Sequence, residues 1–300
     1  MKKKYPRNML GYGSDLPNVK WPNQSKIAVQ FVLNYEEGGE NSILHGDKSS
    51  EIFLSEIIGA KTINGRHINM ESLYEYGSRV GFWRIHKLFK KYNLPLTIFG
   101  VGMALERNSE ICNEMKKSDY EIASHGWRWI DYQNISKSIE KKHMQKAISS
   151  IKRIFGKKPN GWYTGRCSPN TLDLVIDNGS FLYCSDTYSD DLPYWEIKGN
   201  KKQLMIPYTL DNNDMRFLTN QGFNSGDQFF NYLKDSFDTL YEEGKDKPKM
   251  MSVGLHCRII GKPGRIQSLR KFLDYITSKD KVWICKREEI ANYWIKNHSI

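Results

Sequence analysis

Short apolar runs alternate with segments of helical period along most of the chain, and this alternation restricts the fold more than any other feature. Alternating strand and helix units favour parallel strands with helices packed outside the sheet. Eight runs have the length and composition of strands: 26–33, 95–99, 120–124, 161–164, 181–185, 204–207, 249–256 and 282–285. In a chain of 300 residues this pattern predicts a (β/α) barrel, complete or incomplete, and a doubly wound open sheet is the second choice.

The segments between these runs carry helix signals. Ser136 and Gly156 have the positions of an N-cap and a C-cap around one helix. Ser168–Pro169 has the pattern of an N-cap followed by proline in the first turn, and Gly179 closes that helix. The predicted helices lie within 80–92, 136–156, 168–179, 228–243 and 265–278.

Two long segments, 34–79 and 186–222, interrupt the series, and only one short strand is expected in the second. Loops of this length in a compact domain are usually lids or interface segments. The chain contains no linker rich in proline or serine, no low-complexity tract and no internal repeat. A single catalytic domain over residues 1–300 is therefore predicted.

Charged or titratable side chains follow five of the predicted strands, each at the end where the strand finishes. The residues are Glu36, Glu37, His125, Arg166, Asp186, His256 and Arg258. Because the carboxyl ends of parallel strands meet at one mouth of a barrel, we expect these groups to converge. A carboxylate that faces a histidine can act as general base beside a general acid, and Arg166 can hold a carbonyl or an oxyanion.

Other chemistries are less compatible with the sequence. A hydrolytic zinc site normally has three protein ligands, and Trp129 stands where a second histidine four residues after His125 would lie. Glu37 and His125 could supply two metal ligands, but the remaining histidines do not obviously supply a third. Cys257 and Cys167 are better explained as small buried thiols than as nucleophiles. The chain has neither a glycine-rich phosphate loop nor a G-x-S-x-G motif, which disfavours phosphoryl transfer and serine catalysis.

The net charge of +11 comes from lysines spread over the whole chain. No nucleic-acid-binding motif accompanies them, so no nucleic-acid partner is expected. The five cysteines include no C-x-x-C pair, as in proteins whose thiols stay reduced. The basic N-terminus is not followed by an apolar stretch, and no run reaches membrane-spanning length. These features predict a cytoplasmic protein with no membrane partner.

The order of these motifs resembles the polysaccharide deacetylase superfamily, the NodB-homology or carbohydrate esterase 4 group. The T-F-D-D-G-like motif of that family falls on residues 34–38, its H-[ST]-x-x-H metal motif on residues 125–129, its arginine motif near Arg166, its aspartate-tryptophan motif near Asp186 and Trp195, and its L-x-H motif on residues 255–256. The resemblance implies an α/β fold, a deformed (β/α)7 barrel of the polysaccharide deacetylase type.

Departures from the family pattern point to one branch of it. Glu36 and Glu37 replace the two aspartates of the first motif, and Trp129 replaces the second metal histidine. The chain is similar to the metal-independent allantoinase branch over the strings 5–7, 33–40, 74–79, 124–132, 161–166, 211–217 and 254–258. That resemblance implies hydrolysis of the hydantoin ring of allantoin to allantoate in purine catabolism, no cofactor, and a homotetramer.

Roles follow from this resemblance and from the chemistry of a ring amide. Glu36 is expected to activate water and His256 to protonate the departing nitrogen or to stabilise the oxyanion. The expected substrate contacts are Glu37, His125, Trp129, Arg166 and Asp186. The choice of base between Glu36 and Glu37 stays open, with Glu36 favoured by its position in the motif. The alternatives are a metal-dependent polysaccharide or peptidoglycan N-deacetylase, a hydrolase of another small cyclic amide, and a binding module without activity.

Overall fold

A curled, mainly parallel sheet forms the centre of the molecule in the computed structural model, which describes residues 5–300. Its strands are β1 (Ile27–Tyr35), β2 (Thr97–Gly100), β3 (Glu121–Ser124), β4 (Gly161–Trp162), β5 (Tyr183–Cys184), β6 (Tyr194–Lys198), β7 (Lys201–Met205), β8 (Lys249–His256) and β9 (Val282–Ile284). The helices are α1 (Ile68–Tyr76), α2 (Phe82–Tyr92), α3 (Gly102–Arg107), α4 (Ser109–Lys117), α5 (Lys137–Phe155), α6 (Thr171–Asn178), α7 (Gly226–Glu243), α8 (Pro263–Thr277) and α9 (Arg287–Asn297).

The strand order is β6-β7-β5-β4-β3-β2-β1-β8, and only β6 runs antiparallel to its neighbour. One edge of β1 pairs with β8 over the whole length of β8, whereas the other edge is shared between β9 at its start and β2 at its end. A single bridge between Asn213 and Gly254 crosses from the segment after β7 to β8. Seven parallel strands, β1 to β5 with β7 and β8, therefore form the predicted deformed (β/α)7 barrel, and this prediction is confirmed.

Strands β1 and β8 are buried on both faces, so their sequences are mainly apolar. Inside the barrel lies the fully buried guanidinium of Arg287. Its terminal nitrogens donate to the side chains of Gln30, Ser252 and Ser185 and to two backbone carbonyls after β7. Arg287 therefore links β1, β5 and β8. These links lie on the side of the barrel where the isolated bridge between Asn213 and Gly254 connects the segment after β7 with β8.

The capping signals predict one helix well and another only in part. The hydroxyl of Ser136 accepts from the backbone N–H of Ile139, and Gly156 ends α5 with a φ of +79°. The helix expected after Ser168–Pro169 begins later, at Thr171. The hydroxyl of Ser168 donates instead to the buried carboxylate of Glu140, which anchors this segment to α5.

Both long segments contain more regular structure than the sequence suggests. The first includes α1 and a π-helical turn, Gly77–Gly81, which leads directly into α2. The second contains the hairpin of β6 and β7 rather than one short strand. Strand β6 is half exposed at the outer edge of the sheet, so it lacks the apolar run by which a buried strand is recognised. The single-domain organisation stays a prediction. Among residues 5–300, no helix has the length and apolar character that a membrane span needs.

Candidate active site

A cavity of about 430 Å³ lies at the carboxyl ends of the parallel strands. Ligands of parallel α/β folds bind at this end of the sheet. Lining side chains come from the ends of β1, β3, β4 and β8 and from loops of both long segments. The lining includes Asn34, Glu36, Phe53, Leu54, His125, Trp129, Tyr163, Arg166, Tyr188, Tyr208, Asn213, Met215 and His256.

We call Glu36, His125 and His256, with Arg258 and Asp214 directly behind them, the polar floor of the cavity. Oε1 of Glu36 lies 3.4 Å from Nε2 of His125 and 3.4 Å from Nε2 of His256. Its other oxygen, Oε2, accepts a 2.6 Å hydrogen bond from Arg258. Burial alone raises the pKa of Glu36, but the Arg258 guanidinium and then His256 outweigh burial, so this pKa lies well below its ordinary value. Glu36 is therefore a carboxylate at neutral pH.

His256 is held by Asp214, a residue that the sequence reasoning did not select. Nδ1 of His256 lies 2.6 Å from Oδ1 of Asp214, whose Oδ2 accepts from the backbone N–H groups of His256 and Ile260. This contact leaves Nε2 of His256 towards Glu36. Burial lowers the pKa of His256, but the charges of Glu36 and Asp214 outweigh it and raise the pKa to about 9. A protonated imidazole therefore faces a carboxylate, which is the arrangement of a general acid beside a general base.

Asp214 reaches His256 because the segment after β7 packs closely on β8. Asn213 forms the bridge to Gly254, where a Cβ would overlap the Asn213 side chain. The side chain of Asn213 also caps the short turn Asp214–Leu218 that Asp214 begins. The only sequence signal for Asp214 was the matched string 211–217, since no strand leads directly into it.

The two neighbouring glutamates point to different places. Glu37 does not line the cavity but lies against a separate pocket of about 320 Å³. Its Oε2 accepts from the backbone N–H of Glu36, and a Cβ at Gly77 would overlap its carboxylate. Burial, reinforced by the charge of Glu36, raises the pKa of Glu37 to about 7, although Arg258 acts in the opposite direction. The structure therefore does not bring Glu37 to the cavity, where the sequence reasoning expected it.

We call Phe53, Trp129 and Arg166 the aromatic rim. The rings of Phe53 and Trp129 are stacked with centroids 5.9 Å apart, and the guanidinium carbon of Arg166 lies 5.1 Å from each centroid. A nitrogen of Arg166 lies 3.6 Å from the buried carboxylate of Glu51. These contacts hold the guanidinium at the cavity wall, where its planar face and its N–H groups can meet a flat polar ligand. Phe53, which is absent from the sequence-based set, comes from the first long segment.

Asp186 lies behind the rim and does not line the cavity. Its carboxylate accepts from the backbone N–H groups of Thr164 and Gly165 at 2.8–3.0 Å. Gly165 adopts a φ of +74°, a conformation that glycine reaches without strain. Asp186 therefore fixes the turn that delivers Arg166, and the structure does not place it as a direct contact for a ligand.

The cysteines have the environment of structural thiols. All five are free, and four are buried. Burial raises the pKa of Cys257 well above its ordinary value, and its thiol donates to the carbonyl of Asn34. A thiol held in this state is a poor nucleophile.

Comparison with known proteins identifies the family. The family model described as polysaccharide deacetylase matches residues 69–175. A Schizosaccharomyces pombe protein named as a polysaccharide deacetylase is 42% identical over 95% of each chain. The chain belongs to the polysaccharide deacetylase family.

Two solved structures of this family superpose on nearly the whole chain, each with a TM-score of 0.97. One is a probable polysaccharide deacetylase from Pseudomonas aeruginosa PAO1, which is 56% identical and covers 99% of this chain and 100% of its own. The other is PuuE allantoinase, which is 54% identical and covers 99% of both chains. The resemblance of this polysaccharide deacetylase family member to the allantoinase branch is therefore confirmed.

The residues at the metal-motif positions of the family do not fit a zinc ion here. These positions fall on Glu37, His125 and Trp129, and an indole cannot serve as a ligand. Within residues 5–300, no group of three or more His, Cys, Asp or Glu side chains is arranged to hold a metal ion. The Arg258 guanidinium, 3.9 Å from Glu37 and 5.1 Å from the Trp129 ring centroid, also repels any cation brought to this place.

Proposed function

We propose that this member of the polysaccharide deacetylase family is an allantoinase, which hydrolyses a ring amide of allantoin to give allantoate. The observation that carries the proposal is the pairing of an ionised Glu36 with a protonated His256, 3.4 Å apart on the floor of a small cavity. The rim of stacked aromatic rings and a guanidinium suits a flat, polar heterocycle. The 54% identity to PuuE allantoinase supports this choice within the family.

In the proposed first step, Oε1 of Glu36 takes a proton from water as the water oxygen bonds to the ring carbonyl carbon. The electron pair of the carbonyl moves onto its oxygen and forms a tetrahedral oxyanion. His125 and Arg166 are the donors available to this oxygen and to the other ureide carbonyls. Nδ1 of His125 is buried and has no hydrogen-bond partner among residues 5–300, so a polar group of a bound ligand can satisfy it. One terminal nitrogen of Arg166 faces Glu51 at 3.6 Å, which leaves the other N–H groups of the guanidinium for the ligand.

In the second step the carbonyl reforms, the C–N bond breaks, and Nε2 of His256 gives its proton to the departing nitrogen. Asp214 stabilises the imidazolium and holds Nδ1–H in place throughout. The proton on Glu36 can then pass to His256, since the two atoms lie 3.4 Å apart, and the product acid releases its remaining proton. Both groups return to their starting states with one water consumed.

This chemistry does not depend on Lewis-acid activation of the amide. The departing ring nitrogen of a hydantoin is flanked by a second carbonyl, which delocalises its negative charge, whereas the N-acetyl group of a sugar has a poorer leaving group. A positioned base contributes on the order of 10²–10⁴ in rate, and one oxyanion donor roughly 3–4 kcal/mol. Both contributions are available from the floor and the rim.

We also propose the homotetramer and the cytoplasmic location that the sequence suggests. Several apolar side chains in the first long segment are exposed: Ile43, Leu44, Ile52, Phe53, Ile58 and Ile63. Exposed apolar side chains of this number in one segment are available for contact with another chain. Five free cysteines suit a reducing compartment. Measurement of the molar mass in solution by light scattering tests the assembly, and a monomer at micromolar concentration would contradict it.

The decisive experiment is incubation of chelator-treated protein with each enantiomer of allantoin, with allantoate measured as product. We expect turnover of at least one enantiomer by the wild type and its loss in E36Q at unchanged thermal stability. Folded wild-type protein that opens neither enantiomer contradicts the proposal. Parallel assays with N-acetylated chitooligosaccharides and with other hydantoins identify the alternatives, and stoichiometric zinc in the purified protein would favour the deacetylase.

A further inference from the structure

The geometry points to Arg258 as the fixed positive charge that stands in for a metal ion in this branch of the family. We infer that its guanidinium is a positioning residue, which keeps Glu36 ionised and aimed at the cavity without any bound cation. The inference rests on the proposed function only in naming Glu36 as the base. It concerns the source of the positive charge that keeps Glu36 ionised, which the proposed reaction does not specify.

Arg258 lies among the positions that the metal motifs of the family occupy. Its terminal nitrogen is 2.6 Å from Oε2 of Glu36 and 3.9 Å from Oε1 of Glu37. Its guanidinium carbon is 5.1 Å from the ring centroid of Trp129, which replaces the second metal histidine, and 4.3 Å from that of Tyr74. A cation held between two carboxylates and two aromatic faces has the surroundings of a bound ion, supplied by the chain itself.

Comparison with Arg287 separates this arrangement from ordinary structural use of a buried arginine. Arg287 donates to five oxygen atoms of uncharged groups and ties strands together. Arg258 is equally buried, but Glu36 is its one hydrogen-bond partner among residues 5–300, and its Nε and its second terminal nitrogen have none. Such poor hydrogen bonding is costly for a purely structural residue, whereas the close ion pair with the Glu36 carboxylate compensates for it.

The surrounding charges explain why a fixed cation is needed. Glu36 is faced by His125 after β3, by His256 at the end of β8 and Arg258 just beyond it, and by the adjacent carboxyl of Glu37. Arg258 is itself covered by the Tyr74 ring from α1, and Asp214 lies behind His256. Without Arg258, the imidazolium of His256 would be shared by the carboxylates around it. The burial of Glu36 would then be offset by less positive charge, and Glu36 would take up a proton more readily.

The first test compares R258Q, R258K and R166Q by their pH profiles of kcat/KM on the opened substrate. R166Q is the matched control, because it removes the same charge from the cavity wall without a contact to Glu36. We expect the activity of R258Q at about pH 5, relative to about pH 8, to fall about tenfold further than that of the wild type. R258K, which keeps the charge, should retain the wild-type ratio, and so should R166Q, whose loss of rate should be the same at both pH values.

An R258Q profile with the wild-type ratio overturns the inference, and so does an R258K profile that matches R258Q, since the charge would then be irrelevant.

A second measurement does not need turnover. The Glu36 carboxyl is followed by carbon-13 NMR of protein labelled at glutamate side chains, with E36Q to assign the signal. We expect Glu36 to stay ionised at about pH 5 in the wild type and in E37Q. In R258Q, which lacks the positive charge, Glu36 should be protonated at the same pH.

This titration distinguishes the possible failures. If allantoin is not hydrolysed but the Glu36 signal responds to R258Q as described, the proposed function fails and the inference stands. If R258Q does not fold, the Glu36 titrations of the wild type and of R258K are decisive. A Glu36 pKa in the range of an ordinary glutamate, in either protein, overturns the inference.

Discussion

The polar floor and the aromatic rim line the same cavity but are built in different ways. On the floor, Tyr35 of β1 pairs with Gly100 of β2, which in turn pairs with Ser124 of β3, so Glu36 and His125 leave the sheet at the same level on either side of β2. Asn34 pairs with His256 on the other edge of β1. The floor is therefore set by strand register, and its side chains are buried.

The rim depends on loops. Phe53 is 43% exposed, and it reaches Trp129 from a segment without regular structure. The difference indicates two roles. The floor holds the reacting groups at fixed distances, and the rim contributes to the choice of ligand bound above them. Changes on the floor should lower kcat, whereas loss of an aromatic ring from the rim should raise KM.

The largest effect is expected from E36Q. The amide keeps the size of the side chain but cannot take the proton of the attacking water, so kcat on allantoin should fall by on the order of 10²–10⁴. Steady-state kinetics with a parallel thermal melt check the result. Near-wild-type kcat in folded E36Q would show that Glu36 is not the base. The floor would then not hold the reacting groups.

The substitution D214N should follow, with a loss in kcat on the order of 10²-fold. His256 acts as an acid while it is protonated, so wild-type activity should be lost as pH rises through about 9. Asp214 is one of the charges that raise this pKa, and its removal should move the alkaline limb to lower pH. The pH profile of kcat checks both points. An unmoved alkaline limb would assign it to another group.

Glu37 offers a test of stability rather than of rate. Its pKa in the folded protein, about 7, lies above the ordinary value of 4.5, so its stabilising contribution is complete below about pH 4.5 and is lost as pH rises through about 7. The neutral E37Q lacks this loss, which amounts to about 3 kcal/mol. Denaturant unfolding at about pH 5 and pH 8 gives the free energies of unfolding. If E37Q and the wild type lose equal stability between these pH values, Glu37 is ionised throughout.

The smallest effect is expected from F53A on the rim. Loss of one stacked ring should raise KM for allantoin up to about tenfold, because aromatic pairs contribute roughly 0.5–1.5 kcal/mol beyond their burial. The kcat value should change far less, since no floor distance depends on Phe53. Initial-rate kinetics give the two constants separately. A loss confined to kcat would mean that the rim also positions the reacting groups.

Periodicity and chain order were sufficient to predict much of the fold. The parallel strands produce apolar runs, and the polar groups that follow β1, β3 and β8 mark the mouth of the barrel. Strand β6 and helix α1 were missed because neither presents a continuous buried pattern. The late start of α6 was missed because the Ser168 hydroxyl serves a distant glutamate.

By itself, the sequence determined the alternation of strands and helices and the placement of Glu36, His125 and His256 at strand ends, because these depend on local pattern and on order along the chain. Only the tertiary structure decided which adjacent glutamate faces the cavity. It also decided that Arg258 rather than Arg166 contacts Glu36. These outcomes depend on side-chain direction and on contacts between segments up to 222 residues apart, which no local pattern records.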